Sequence, residues 1–179
     1  TYTLYGDSVF EDCTLNVSGD VYNIWTWGAK NISFERCTFN SDGKALLLYQ
    51  EGNNTINLNV ATCIFNDNGA LADLKAAIEI GDAPYGATPT YYVNVSDTKV
   101  NGYEINDKGI YTGTTLWANK NSMPAERLIV TVDGYTWVAD GLSQKDGEYY
   151  VSNANGLNYF SNVTAANGTV IKLAEDINM

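Results

Sequence analysis

Flat aromatic side chains are the residues whose type and spacing suit ligand binding best in this sequence. Trp25 and Trp27 are two residues apart, so both indoles point to the same face of an extended strand. If that face is exposed, the two indoles and Tyr49 form a platform on which sugar rings stack; if it is turned inward, they belong to the core. Both interpretations stay open. Tyr85 and Trp117, in or near longer loops, are the further ligand-binding candidates.

Groups that could catalyse a reaction are scarce. The 179 residues include no histidine, which removes the commonest general base and the usual nucleophile–base pairs. A glycosidase needs two facing carboxylates, about 5 to 9.5 Å apart. The acidic candidates are Asp12, Glu35, Glu79, Asp82, Glu104 and Asp107, and none stands in a recognisable catalytic motif. We assign no catalytic residue, and the sequence favours a protein that is not an enzyme.

Composition also argues against metals, nucleic acids and membranes as partners. Three Cys without His make a poor zinc ligand set, and the turn at 66–69 reads as a plain turn more readily than as a calcium loop. The formal net charge of -11 repels a phosphate backbone. No apolar run approaches the roughly 18 residues that span a bilayer. We therefore predict no metal, no cofactor, no nucleic-acid binding and no membrane insertion.

A repeat determines how these residues are positioned. Segments 8–16, 32–40, 58–66 and 93–101 align without gaps. One aligned column holds Cys13, Cys37, Cys63 and Thr98, and another holds Asn16, Asn40, Asn66 and Asn101. The first column predicts a buried stack of thiols without a disulfide. The second predicts an asparagine ladder that closes the turns by side-chain to backbone hydrogen bonds.

Each repeat segment reads as two very short strands with a corner between them. In 32–40, Ile32 and Phe34 share one face, as do Cys37 and Phe39, but the residues between them break the alternation by one. Successive members of the Cys/Thr column are 24, 26 and 35 residues apart, which suits one turn of a solenoid. A weaker fifth segment at 128–135 would place Tyr135 in that column. Further strands are predicted at 21–27, 45–49, 76–80 and 110–115.

These patterns predict an all-β fold, a right-handed single-stranded parallel β-helix over residues 1–141. An antiparallel β-sandwich would explain the short strands but not the columns of identical residue types. Residues 142–179 lack the repeat and read as a turn, a strand, a short helix near 153–163 and a last strand near 169–177. Ser152 or Asn153 can cap that helix. This segment either caps the solenoid or begins another domain.

The repeat phrases at 10–16 and 32–40 resemble the rungs of the pectin-lyase-like β-helix superfamily, over roughly residues 8 to 141. The helix-then-strand order of the tail resembles β-helix domains in large surface proteins of gut bacteria. These resemblances imply a secreted or cell-surface bacterial protein, non-catalytic, and either adhesin-like or carbohydrate-binding, with a polysaccharide or host glycan as partner. A polysaccharide lyase or hydrolase and a purely structural spacer are the alternatives. We expect a monomer, or a dimer formed end to end through exposed strand edges.

Overall fold

Strands arranged in triplets make up most of the chain. The computed structural model describes residues 1–42, 44–68, 76–81, 86–103, 116–163 and 165–177. We call three consecutive strands a triplet where each strand lies in a different sheet. The first four triplets are β1 (Tyr2–Leu4), β2 (Ser8–Glu11), β3 (Thr14–Asn16); β4 (Ile24–Thr26), β5 (Asn31–Glu35), β6 (Thr38–Ser41); β7 (Leu46–Leu48), β8 (Thr55–Ala61), β9 (Ile64–Asp67); and β10 (Ile78–Ile80), β11 (Thr90–Ser96), β12 (Lys99–Asn101).

The remaining elements continue two of the sheets and then change pattern. They are β13 (Trp117–Asn119), a short 3₁₀ helix (Ala125–Arg127), β14 (Leu128–Val132), β15 (Tyr135–Ala139), β16 (Leu142–Lys145), β17 (Glu148–Val151), α1 (Ala154–Asn162) and β18 (Ile171–Leu173). The strands predicted at 21–27, 45–49 and 76–80 are confirmed as β4, β7 and β10. The strand predicted at 110–115 lies outside the described residues.

Three sheets collect the strands of successive triplets. Sheet A has the order β1-β4-β7-β10-β13, and sheet C has the order β12-β9-β6-β3. Sheet B contains β2, β5, β8, β11 and β14, followed by β15 to β18. All pairs within sheets A and C, and all pairs from β2 to β14 in sheet B, are parallel. The chain is thus an all-β protein built on parallel sheets, as predicted at that level.

One core joins the inward faces of the three sheets. In β8 and β11, every second residue is buried and its neighbours are exposed, because successive side chains of a strand point to opposite faces. Phenylalanine rings stack between triplets: the ring centroids of Phe10 and Phe34 are 4.9 Å apart, and those of Phe39 and Phe65 are 4.4 Å apart. Phe34 and Phe39 meet edge to face at 5.1 Å, which links sheets B and C within one triplet.

The corner between sheets B and C is confirmed at the predicted position. Asp12, Arg36, Thr62 and Asp97 have φ values of 53°, 53°, 54° and 48°. One residue in the left-handed region turns the chain between the two strands while the apolar side chains stay inward. Asp tolerates this conformation, whereas a β-branched residue is strained there. Arg36 bridges both oxygens of Asp12 one triplet earlier, at 2.8 and 3.0 Å.

Both predicted columns are confirmed as ladders, but the asparagines hydrogen-bond to one another through their side chains and not to the backbone as predicted. The Asn40, Asn66 and Asn101 amides each donate to the preceding asparagine Oδ1, at 2.7, 2.9 and 2.8 Å. The three cysteines are free thiols and form no disulfide. The backbone N–H of Cys37 donates to Cys63 Sγ at 3.4 Å, and that of Cys63 donates to Thr98 Oγ1 at 3.3 Å. In both ladders, hydrogen bonds therefore connect each residue to its equivalent in the neighbouring triplet.

The prediction for Tyr135 is wrong. Asp133 and Gly134, with φ values of 49° and 85°, form a two-residue turn in which Val132 pairs antiparallel with Tyr135. Asp-Gly is a favoured sequence for such hairpin turns, because both residues accept positive φ. The chain therefore reverses after β14 instead of bending into sheet C, and Tyr135 is exposed.

The tail extends sheet B. Strands β15, β16 and β17 are antiparallel neighbours, and β18 pairs parallel with β17. The predicted helix is present as α1, and Asn153 caps it by accepting a hydrogen bond from the Gly156 N–H at 3.0 Å. The Phe160 ring packs on Tyr149 of β17 at 5.3 Å. The predicted domain boundary after residue 141 falls between two adjacent strands of one sheet.

A substitution at Thr62 tests the strain at the corner. We expect Thr62→Asn to raise the free energy of unfolding by about 0.5–1 kcal/mol, because asparagine tolerates the left-handed region better than threonine. Denaturant unfolding monitored by circular dichroism measures the change. The matched control is Thr14→Asn in the extended strand β3, which should leave stability unchanged or lower it. A loss of stability at position 62 equal to that at position 14 would contradict the strain argument.

Thiol reactivity tests the cysteine ladder. Burial raises the pKa of the Cys37 and Cys63 thiols, which suppresses the reactive thiolate. Cys13 lies in the first triplet and is only partly buried. With an aromatic disulfide reagent, we expect the folded protein to release one equivalent quickly and the other two only on unfolding. Cys13→Ser should remove the fast phase; three thiols reacting at one rate would refute the ladder.

Candidate functional site

The outward face of sheet A carries the aromatic candidates. Ile24 and Thr26 of β4 are fully buried, so Trp25 between them points away from the core. Parallel pairing aligns Trp25 with Leu47 and Leu47 with Glu79. This face is the side of the sheet on which Trp25, Leu47 and Glu79 follow one another across three strands.

Three aromatic rings meet on this face. The ring centroids of Trp25 and Trp27 are 5.2 Å apart, those of Trp25 and Tyr49 are 5.8 Å apart, and those of Trp27 and Tyr49 are 5.5 Å apart. All three side chains are half-buried. We call these residues the aromatic cluster. The two tryptophans thus lie on the outward side of sheet A, which settles the orientation that their spacing left open.

Hydrogen bonds between the Thr26 hydroxyl and the Tyr49 backbone position the tyrosine. The Tyr49 N–H donates to Thr26 Oγ1 at 2.9 Å, and the Thr26 hydroxyl donates to the Tyr49 carbonyl at 3.1 Å. The Tyr49 hydroxyl donates to Glu51 at 3.1 Å. These contacts tie β7 to β4 just where the aromatic rings leave the sheet. The cluster therefore has a fixed base and an open outer side.

The Trp25 indole N–H is a buried donor without an acceptor among the described residues. Trp25 Nε1 is buried, and no acceptor within the described residues reaches it. An unsatisfied buried donor costs about 1–3 kcal/mol. The buried edge of the indole therefore carries a cost, while the exposed part of the ring is what a ligand can reach.

A buried charged cluster shares the outward face of sheet A. Glu79 is 2% exposed, and its Oε2 accepts hydrogen bonds from Tyr22 Oη at 2.5 Å and Lys120 Nζ at 2.8 Å. Lys120 Nζ also lies 2.9 Å from Tyr22 Oη. We call these three residues the glutamate cluster. Its carboxylate is held by two donors, an arrangement that stabilises a buried charge and leaves it poorly placed to accept a substrate proton.

The buried phenol of Tyr103 has a structural role. The Tyr103 hydroxyl lies 2.6 Å from Ser41 Oγ, and Tyr103 is 4% exposed. Burial raises the pKa of Tyr103 to about 12. This phenol therefore stays neutral at physiological pH, and its hydrogen bond with Ser41 holds Tyr103 against β6.

The other predicted ligand-binding residues do not join the aromatic cluster. Trp117 pairs with Ile78 on the inward side of sheet A, is 3% exposed and packs against Trp137 at 5.4 Å. It is therefore a core residue in this structure. Tyr85 lies outside the described residues, as do Asp82, Glu104 and Asp107.

Sequence reasoning missed the partners of Glu79. Tyr22 and Lys120 lie 57 and 41 residues from Glu79, so no local spacing connects them. One signal was present: Glu79 interrupts the apolar strand 76–80 at an outward position. An acidic residue there requires a cationic or hydroxyl partner from a neighbouring strand.

Further features bear on function. Among the described residues, no group of three or more Cys, Asp or Glu side chains is arranged to hold a metal ion. Within the same part of the chain, no helix has the length and apolar character needed to cross a membrane. Comparison with protein-family models, with curated proteins and with solved structures finds no match to this chain. The function must therefore be argued from the geometry.

A double-mutant cycle tests the glutamate cluster. Lys120→Met leaves the buried Glu79 carboxylate with a single donor, and we expect it to lower the free energy of unfolding by about 1–3 kcal/mol, because Lys120 is partly exposed and solvent screens the pair. Adding Glu79→Gln should recover part of the loss by removing the buried charge. Denaturant unfolding gives all three values. Lys99→Met, at an exposed position, is the control, and an equally small effect at both lysines would contradict a coupled cluster.

Proposed function

We propose that this chain is a right-handed parallel β-helix that serves as a non-catalytic, carbohydrate-binding module of a secreted or cell-surface bacterial protein. The aromatic cluster on sheet A is the observation that carries the functional part. The fold part rests on the triplets, since every third strand from β1 to β14 returns to the same sheet with its side chains in register.

Handedness follows from general principles. Parallel strands joined by crossover connections are right-handed in about 98% of known cases. In each sheet, a strand and its next parallel neighbour along the chain are joined through strands of the other two sheets. A right-handed, pectin-lyase-like coil of sheets A, B and C satisfies this rule, and its register accounts for the ladders of Cys and Asn.

The aromatic cluster suits a sugar better than it suits a structural role. Half-buried indoles on the outside of a sheet contribute little to the core, yet they expose flat apolar surface beside polar groups. Sugar rings present the same combination of an apolar face and hydroxyl edges. The Tyr49 hydroxyl and the Glu51 carboxylate supply the polar contacts that orient a ligand.

Retention on immobilised polysaccharides tests the proposal. We expect the chain to be retarded by at least one plant or host polysaccharide, and we expect Trp25→Ala with Trp27→Ala to weaken binding by about tenfold or more, at about 0.5–1.5 kcal/mol for each ring. Circular dichroism checks that the variant is folded. Tyr2→Ala removes a 64% exposed aromatic residue of β1 that is aligned with Ile24, on the side of sheet A opposite to the cluster, and is the matched control. Binding that survives loss of both tryptophans would refute the role of the cluster.

A polysaccharide-degrading enzyme is the second candidate, because the glutamate cluster lies on the same face of sheet A as the aromatic rings. The chain is incubated with a polysaccharide that binds it, and new reducing ends and unsaturated products are measured. The result separates the two candidates. Products that form with the native chain and vanish with Glu79→Gln would establish the enzyme. If a polysaccharide that binds the chain tightly yields no products, the result supports the binding module.

A further inference from the structure

A long groove crosses the outward face of sheet B. It has a volume of about 450 Å³ and is lined by residues of all five parallel strands, from Ser8 of β2 to Thr131 of β14. Strands in a sheet are about 4.8 Å apart, so five of them span about 19 Å. The groove is therefore elongated across the strands, unlike the compact aromatic cluster on sheet A.

Two rows of side chains run along this groove in register. The first row is Asn31, Asn57, Tyr92 and Ile129, and the second is Val9, Ser33, Asn59, Asn94 and Thr131. In the second row, each of the five strands contributes one outward side chain at the same position along the strand. A ligand that lies along the groove therefore meets amides over β5 and β8, and Tyr92 beside Asn94 over β11.

The amides of these rows are linked to one another but not saturated. Asn57 Nδ2 donates to Asn31 Oδ1 at 2.9 Å, and Asn94 Nδ2 donates to Asn59 Oδ1 at 3.1 Å. An amide carries two N–H donors and two carbonyl lone pairs, and each of these contacts uses one of them. Asn31 Nδ2 also donates to Asp7 Oδ2 at 2.6 Å, and Asn59 Nδ2 donates to Ser33 Oγ at 3.5 Å. After these contacts, unused donors and acceptors remain on the amides of β8 and β11.

Apolar surface accompanies the amides. Tyr92 is 47% exposed and Val9 is 71% exposed, and both line the groove. Within the described part of the lining there is no charged side chain, although the chain carries a net charge of -11. This combination disfavours polyanions, gives a polycation no ion pair inside the groove, and matches a neutral chain with hydroxyl groups and apolar faces.

A peptide fits this surface less well. Peptides commonly bind sheets by adding a strand at an edge, where the backbone N–H and C=O groups are free. The inner strands β5, β8 and β11 are paired on both sides, so their backbone groups are occupied. Only side chains remain for recognition, and they repeat with the period of the strands.

We propose that the outward groove of sheet B binds a linear neutral polysaccharide whose chain runs across the strands. Tyr92 stacks on a sugar ring, and the amides of Asn57, Asn59 and Asn94 exchange hydrogen bonds with successive hydroxyl groups. The periodic floor recognises a repeating polymer, so affinity comes from the number of sugar units in the groove. This site is separate from the aromatic cluster and does not depend on it.

Calorimetric titration of the full chain with neutral linear oligosaccharides of increasing length, from xylan, mannan and cellulose, tests the proposal. We expect affinity to rise with chain length and to level off once the groove is filled. Tyr92→Ala should weaken binding of the longest oligosaccharide by about three- to tenfold, from loss of ring stacking. Asn94→Ala should weaken it by about fivefold, from loss of hydrogen bonds. Tyr2→Ala should leave it unchanged.

The outcomes separate this site from the one on sheet A. Binding weakened by Tyr92→Ala and Asn94→Ala but kept in the Trp25→Ala, Trp27→Ala variant supports the groove, even if the aromatic cluster binds nothing. Loss that follows the tryptophans alone overturns the groove and leaves the aromatic cluster intact. A monosaccharide bound as tightly as the longest chain, or Tyr92-dependent binding of polylysine in place of every neutral chain, would also overturn it.

Discussion

Parallel pairing between successive triplets is the constraint on which the rest of this structure depends. In a parallel stack, every residue lies directly above its equivalent in the previous triplet, at the spacing of two hydrogen-bonded strands. An inward side chain must therefore pack against a copy of its own position. Phenylalanine on phenylalanine, thiol beside thiol and amide bonded to amide all satisfy this requirement. The corner at Asp12, Arg36, Thr62 and Asp97 keeps the register by turning the chain with a single residue.

This constraint explains which parts of the structure the sequence predicts. Columns of one residue type are visible by alignment of the chain with itself, so the Cys and Asn ladders and the corner were predictable without coordinates. The strands of sheet A have three residues each, too few for alternation to assign the direction of Trp25. Tyr135 was placed by extending the repeat, although the local Asp-Gly turn outweighs the weak fifth segment and sends the chain back along sheet B. The Glu79 partners are 57 and 41 residues away in the sequence and leave no local pattern.

The stack also separates stability from function. Inward positions are restricted by their neighbours above and below, whereas outward positions are restricted mainly by solubility. An outward residue that is costly in water, such as Trp25, or costly in a buried site, such as Glu79, therefore calls for an explanation beyond packing. Trp117 shows the opposite case, because its inward position in sheet A makes a large aromatic ring an ordinary core residue.

The two outward surfaces differ in symmetry, and symmetry limits what each can recognise. The aromatic cluster occurs once, with three rings at mutual angles of 48° to 77°, so it offers one location and one orientation to a ligand. The groove on sheet B carries amides on three adjacent strands, so it offers several related locations along one direction. Under our proposals, the first surface would distinguish one sugar unit from another, and the second would respond to the length and straightness of a chain. A parallel fold provides a surface of the second kind wherever outward polar residues keep the register of the core.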